Sequence, residues 1–451
     1  MIVAAAAAAL ATAQLPAAPA PYVVVAPGGQ AIVRVVTREP CPQLVVDGIS
    51  RQMSVRAGPA ILPPRASTSG SAAAHPSAFP GTVCEAVVKR GARRASINGM
   101  PAPLPPRMVR RIVLIGDTGC RLKAADKAWQ ACNDPSSWPF ARIAASAARW
   151  KPELVVHVGD YHYRENACPE GNATCADSPW GYGEDAWRAD LFAPGAALLA
   201  AAPWVVARGN HEACNRAGQG WHRLLDPHPL IAGADCIDAA NDFAGNHAEP
   251  FAIDVGGGAQ LILLDLASIG SEPLTPDDPR RPRFMADAKL VTALARLSKT
   301  SFLVGHYPFA AVHTTKNGST DIGNPALSAT FGDGTGVPAL AGIAAILSGH
   351  VHQFEQVSFG GALPSQIVAG FSGTFEDDAP APADIRGVQP AAGVPAVRSL
   401  LSIFGTQGFA TLERRTRDLW RLTVRDVDGA PLALCELRGR RSHCIKVTGS
   451  T

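Results

Sequence analysis

Five apolar runs in this chain end the same way, and that ending limits what the chain can fold into. Each stops at a glycine followed at once by Asp, Asn or His. IVLIGDTG reaches Asp117, LVVHVGDYHYRE reaches Asp160, and WVVARGNHE reaches Asn210 and His211. FLVGHYP reaches His306, and AAILSGHVH reaches His350 and His352. Short continuous apolar runs closed by glycine read as strands buried on both faces, where the apolar–polar alternation of half-exposed strands is lost. Helical stretches lie between several of them: Phe140 to Trp150 and Asp287 to Leu297 carry apolar residues at three- and four-residue spacing. Buried strands alternating with helices indicate an α/β fold.

In an open α/β sheet, ligands gather outside the carboxyl ends of the strands. Five such ends would bring together the carboxylates of Asp117 and Asp160, the Asn210 amide, several imidazoles and the Tyr163 phenol. This is a set of hard and borderline metal donors. A glycine before each donor lets the backbone turn and approach a cation with no Cβ in the way. Asp160 has two oxygens and can bridge, and the His350/His352 spacing can serve two neighbouring cations. Paired metals about 3.5–4 Å apart clamp the attacking and leaving oxygens of a phosphoryl displacement. No nucleophile elbow, P-loop or GxGxxG motif competes for the same strands.

The chain has 451 residues, enough at roughly 150 per domain for two or three domains. Its net charge of +3 carries no nucleic-acid signal. A hydrophobic content of 47% excludes a wholly disordered or collagen-like chain. Residues 1–14 read as a signal peptide: the apolar run Ile2 to Leu10 is shorter than the roughly 20 residues a bilayer needs, and Ala11-Thr12-Ala13 offers a cleavage site. The mature chain then has no transmembrane span, and the protein would be periplasmic or secreted. The ten cysteines fit that compartment. Their simplest pairing is sequential: 41–84, 120–132, 168–175, 214–236 and 435–444. The alternative is ten free thiols in an intracellular chain. Residues 21–100 are β-rich and read as a small accessory domain, followed by the stiff linker PAPLPP. The main domain would run over 108–451, with its motifs at 116–352. Asn172-Ala173-Thr174 and Asn317-Gly318-Ser319 match glycosylation sequons.

GDTG, GDYHY, GNHE, VGH and GHVH occur in the order and form seen in the calcineurin-like metallophosphoesterases, over roughly residues 110–375. The chain most resembles the purple acid phosphatase branch. The resemblance implies a four-layer α/β/β/α sandwich beside the small N-terminal all-β domain, with the strands from 354 to 447 completing the second sheet. It implies two metal ions: the first held by Asp117, Asp160, Tyr163 and His352, the second by the bridging Asp160 with Asn210, His306 and His350. Gly119 stands where most of the superfamily has a histidine, and Tyr163 has the GDxxY spacing of the purple enzymes. A tyrosinate with two carboxylates favours Fe(III) in the first site; the second would hold Fe, Zn or Mn. Tyr163 could instead donate a hydrogen bond from behind the ligands, and Arg164 after it resembles the GDxxxR form of other phosphoesterases.

The implied reaction is attack of a metal-bound hydroxide on the phosphorus of a small phosphate monoester, with His211 as general acid or transition-state donor. A phosphodiesterase or nucleotidase with the same centre, or a non-catalytic binding protein on the same fold, are the alternatives. His162, Tyr307 and His313 are candidate substrate contacts. Arg164 and Glu165 read as a stabilising pair behind the loop, Glu212 as a residue orienting His211 or a ligand, and His157 as a packed histidine. His222, His228 and His247 read as surface residues. Oligomeric state is not legible.

Overall fold

The computed structural model describes residues 20–65, 75–314, 320–331, 340–360, 363–376, 385–389 and 395–447. The signal-peptide reading and the Asn317 sequon lie outside them. Among the described residues two large sheets form the frame, one of eleven strands and one of seven.

The centre of the first sheet is Arg111–Ile115, Leu154–His157 and Trp204–Val206, paired in parallel. The second sheet carries Ala259–Leu263, Thr300–Val304, Ile343–Ser348 and Ser365–Ala369, also in parallel. Side chains alternate faces along a strand. In the first strand Ile112 and Leu114 therefore join a core shared with Leu261, Phe302 and Leu347 of the other sheet. Val113 and Ile115 face the opposite way, onto Phe140, Ile143 and Ala147 of the helix Phe140–Arg149. On the far side of the second sheet, Ile262, Leu303 and Ile346 pack against Phe284, Val291 and Ala295 of the helix Arg281–Ala295. The layers are thus helix, sheet, sheet, helix. Burial on both faces is why these strands read as unbroken apolar runs. The expected helix at 287–297 starts six residues earlier, with a proline in its first turn, where the missing N–H is no loss.

The N-terminal region is strand-rich, and four of its strands continue the first sheet. Tyr22–Val25 pairs in parallel with Trp204–Val206, and Ala31–Thr37, Thr82–Val88 and Ser54–Ala57 follow. Arg34 is buried and donates to the carbonyls of Leu224 (3.1 Å) and Asp226 (2.7 Å), tying this region to the segment beyond the GNHE loop.

The late strands divide between the sheets, which corrects the expectation that all of them complete the second. Phe354–Phe359, Ser365–Ala369 and Val397–Ile403 belong to the second sheet. Gly408–Arg414 instead pairs antiparallel with Arg111–Ile115 and leads Leu419–Asp426, Pro431–Arg438 and Arg441–Lys446 onto the first. Alternation shows which face of a strand is buried, not which neighbour it pairs with. All five expected disulfides are present: 41–84, 120–132, 168–175, 214–236 and 435–444.

Candidate metal centre

The parallel strands of both sheets deliver their carboxyl ends to one edge. There the backbone turns under constraint. Asp117 (φ 56°), Asp160 (φ 57°) and His350 (φ 72°) all sit in the left-handed region, unfavourable for residues with a Cβ. Such strain, of order 1–3 kcal/mol per residue, persists where surroundings over-determine it, and it clusters at functional sites. The glycines ahead of the donors are needed for close approach. A Cβ on Gly159 (φ 103°) would lie 2.6 Å from Nδ1 of His306, and one on Gly209 would lie 2.0 Å from Oδ1 of Asp160.

The seven expected donors converge. The Tyr163 hydroxyl lies 2.9 Å from Asp117 Oδ1, 3.0 Å from Asp160 Oδ2 and 3.0 Å from His352 Nε2. One phenolic proton cannot serve three acceptors, so this pocket suits a cation. On the other side, His306 Nε2 is 3.1 Å from Asp160 Oδ2 and 3.0 Å from Asn210 Oδ1. His306 Nδ1 faces the Val158 carbonyl at 2.9 Å and donates to it. With Nδ1–H so engaged, a bound cation that displaced the Nε2 proton would meet the Nε2 lone pair, an arrangement typical of metal-ligating histidines. His350 Nδ1 closes this group, 3.1 Å from Asn210 Oδ1. Asp160 Oδ2 thus belongs to both groups. Asp160, His306 and His350 offer donor atoms within 4.8 Å of one another.

Electrostatics agrees that cations are wanted here. Burial, then the charges of Asp117 and Asp160, hold the Tyr163 hydroxyl well above its usual pKa, so phenolate needs a cation to form. Burial pulls His306 down, but the carboxylates of Asp160 and Asp117 outweigh it and hold the ring at about 9 from the protein's own charges.

His211 completes the site. Its N–H donates to Asp160 Oδ1 (2.9 Å), and its Nδ1 lies 2.8 Å from Glu165 and 2.9 Å from the His162 carbonyl. Nε2 is 3.8 Å from Asp160 Oδ2. Burial and the Arg216 guanidinium push His211 down to about 4, leaving the ring neutral near pH 7. Arg216 also pairs with Glu165. His211, Asp160, Asn210, His350 and His352 line a cleft of about 1260 Å³, with Arg216 and His313.

Residues behind the loops hold these positions. Glu212 accepts from the N–H groups of Asp160 (3.1 Å), Tyr161 (2.9 Å), His162 (3.2 Å) and Gly209 (3.1 Å), which holds the Asp160 loop to the Asn210 loop. Burial and the Asp160 charge push its carboxyl up to about 8 against those donors. His157 packs flat on Tyr161, with Gly159 N–H on its Nδ1 and Thr118 Oγ1 at its Nε2. Burial holds its pKa well below the usual value, as for a packed histidine.

Several expectations are corrected. His162 is fully buried beside Tyr182 and Trp187, and reaches the site through its carbonyl. Arg164 is buried and pairs with Asp190 (2.6 Å), not Glu165. Neither His162 nor Arg164 lines the cleft. Tyr307 sets its ring 4.1 Å from that of His350. His222 is buried between Asp226 (2.8 Å) and the Gly245 carbonyl (3.0 Å), while His228 and His247 are half-buried on Asp226 and Asp287. Asp190 and Arg216 escaped the sequence reading. Asp190 lies in a short helical segment with no motif, and the only hint of Arg216 is its place five residues past His211.

The family profile described as Calcineurin-like phosphoesterase matches residues 110–354. No curated protein matches the chain in sequence. Among solved structures it resembles a purple acid phosphatase, PPD1, from yellow lupin (Lupinus luteus) seeds: TM-score 0.54, 12% identity, covering 95% of this chain and 74% of that one. It is similar to PhoD to the same degree, with TM-score 0.54, 13% identity, and 96% and 92% covered. These likenesses concern the fold. Matched over more than half its length, and with the donors of a dinuclear centre gathered at one edge of the sandwich, the chain belongs to the calcineurin-like phosphoesterases and is a metal-dependent phosphoesterase.

Proposed function

We propose that this protein is an exported phosphatase that hydrolyses small phosphate monoesters at a mixed Fe(III)–M(II) centre, M being Fe, Zn or Mn. One observation carries the reading: a single oxygen, Asp160 Oδ2, stands at hydrogen-bond distance from both the Tyr163 group and the His306 group. Asp117, Asp160, Tyr163 and His352 would hold the ferric ion, and Asp160, Asn210, His306 and His350 the divalent one. When bound, the two metals lower the pKa of water and neutralise charge on the phosphoryl oxygens.

The chain's own residues do the rest. His211 reaches the cleft beside Asp160, where Nε2 would meet the leaving oxygen; with Glu165 and the His162 carbonyl accepting from Nδ1–H, donation from Nε2 requires the protonated ring and therefore belongs to acidic pH. Glu212 fixes the spacing of the two loops that present Asp160 and Asn210. The five disulfides support an oxidising compartment, periplasmic or extracellular.

The test is hydrolysis of p-nitrophenyl phosphate against bis-p-nitrophenyl phosphate after loading with iron and then zinc or manganese. The reading expects the monoester to be preferred. A preference for the diester overturns it in favour of a phosphodiesterase, and no hydrolysis of either in favour of a binding protein.

A further inference from the structure

Beside the metal-ligand cleft lies a second cavity of about 600 Å³. Asn210 and Arg216 line both, and Asp242, Phe243 and Asn246 stand in the wall of the second. All five belong to one stretch of chain, 210–246. It leaves the centre at Asn210, runs through the buried helix Gly218–Leu224 and returns at Asn246. Its two ends are fastened to each other. The Cys214–Cys236 bond closes it, Asn246 Oδ1 accepts the Cys214 N–H (2.7 Å), and Arg208 donates to the carbonyls of Glu212 (2.8 Å) and Gly245 (2.6 Å).

The middle of the stretch is held from outside, by the N-terminal region. The Tyr22 hydroxyl donates to the Leu224 carbonyl (2.9 Å), which Arg34 also meets. Arg56 donates to the carbonyls of His222 (2.6 Å) and His228 (2.9 Å). Arginines at the carbonyl end of a helix satisfy groups that the helix itself leaves open, and they suit its dipole. Glu85, 2.9 Å from Arg34 Nε and 3.2 Å from Arg56 Nη1, balances their charge. Buried Arg65 reaches the cavity wall itself. It donates to the Cys236 carbonyl, and its Nη2 meets both oxygens of Asp242, at 2.6 and 2.5 Å. Asp242 opens the short helix Asp242–Gly245, which carries Phe243 into the wall. A side chain of the N-terminal region thereby fixes a wall that it does not itself line.

We propose that the N-terminal region sets substrate selectivity from behind this cavity, with Arg65 as the positioning residue that holds the Asp242–Gly245 wall against the metal centre. The inference rests on the monoesterase reading above, which puts a phosphoryl group beside Asn210 and leaves the adjoining cavity to the alcohol half of a bulky ester. Such an ester needs the wall in place. An ester whose alcohol is too small to reach the cavity does not. The planar guanidinium can meet the Asp242 carboxylate and the Cys236 carbonyl together, where an ammonium offers a point charge.

The experiment compares kcat/KM for 1-naphthyl phosphate with that for ethyl phosphate, in the metal-loaded full chain and in Arg65→Ala, Asp242→Ala and the double variant. Loss of the pair should lower the ratio of the two about tenfold, through KM for the naphthyl ester, and the double variant should fall no further than either single one. Arg65→Lys should recover part of the ratio. Asp242→Ala reads the same pair should Arg65→Ala not fold. Hydrogen exchange over 238–246, which needs no activity, should quicken in both single variants. An unmoved ratio, or losses that add in the double variant, overturns the proposal while leaving the phosphatase intact. A parent protein that hydrolyses neither ester removes the phosphatase and the selectivity role with it, even where exchange shows the pair holding the wall.

Discussion

Gly209→Ala perturbs the centre with a single methyl group. Gly209 has φ −95°, open to any residue, so alanine brings no backbone penalty. What it brings is a Cβ 2.0 Å from Asp160 Oδ1 and 2.4 Å from the Asp160 nitrogen. Carbon–oxygen contacts settle near 3.3 Å, so the Asp160 carboxylate or the Asn210 loop has to move by about 1.3 Å. A misplacement of about 1 Å at a reacting centre lowers rate about 10²-fold, and overpacking costs about 1–3 kcal/mol of stability. Phosphatase kcat/KM should therefore fall at least about 100-fold in a protein that still folds, by circular dichroism, with metal content reduced. Gly58→Ala, where a Cβ meets nothing within 4 Å, is the control and should be silent. Near-normal activity in Gly209→Ala with a full metal complement would refute the claim that the glycine exists to let Asp160 and Asn210 share a centre.

Three further outcomes follow from the same geometry. His211→Ala should keep its metals and lose kcat by about 10²-fold or more, as expected for a positioned proton donor; unchanged kcat in the metal-loaded variant would remove that role. Replacing Cys41 and Cys84, which close a loop of 43 residues, should cost about 4 kcal/mol in urea denaturation, and replacing Cys168 and Cys175, which close one of 7, only about 2 kcal/mol; the reverse order would contradict the loop-closure argument. Asp226 accepts from His222 and His228, and although burial opposes it, that carboxylate raises His228 above its usual pKa. A raised folded-state value stabilises fully below about 6.5 and fades as pH rises through it, so Asp226→Asn should destabilise by about 1–3 kcal/mol at pH 6 and by less at pH 9 in thermal melts. An equal loss at both values would show that the ion pair is not what Asp226 contributes.

Much of the centre is legible in sequence because ligand placement here is a property of strand ends. Asp117, Asp160, Asn210, His306 and His350 each follow a buried apolar run and a glycine, a local signal that needs no knowledge of the partner strand. The supporting residues have no such signal. Adjacency in sequence pairs Glu165 with Arg164, yet the chain turns so that Glu165 meets Arg216 and His211 while Arg164 meets Asp190. Those contacts depend on how the loops cross in space. The same limit explains the late strands: Phe409 to Glu413 reads as a strand, but its partner, Arg111–Ile115, lies some 300 residues earlier. The sequence places His222 at the surface, whereas it is buried against Asp226, one turn further along the chain.

Two cations gripped around one shared aspartate is the claim on which the rest stands, and metal stoichiometry tests it most directly. Elemental analysis of the purified, reconstituted protein, taken with its visible absorption spectrum, should find two metals per chain, one of them iron, and a charge-transfer band that disappears in Tyr163→Phe. One metal or none per chain after reconstitution would contradict the account. A band that survives in Tyr163→Phe would remove the phenolate from the iron.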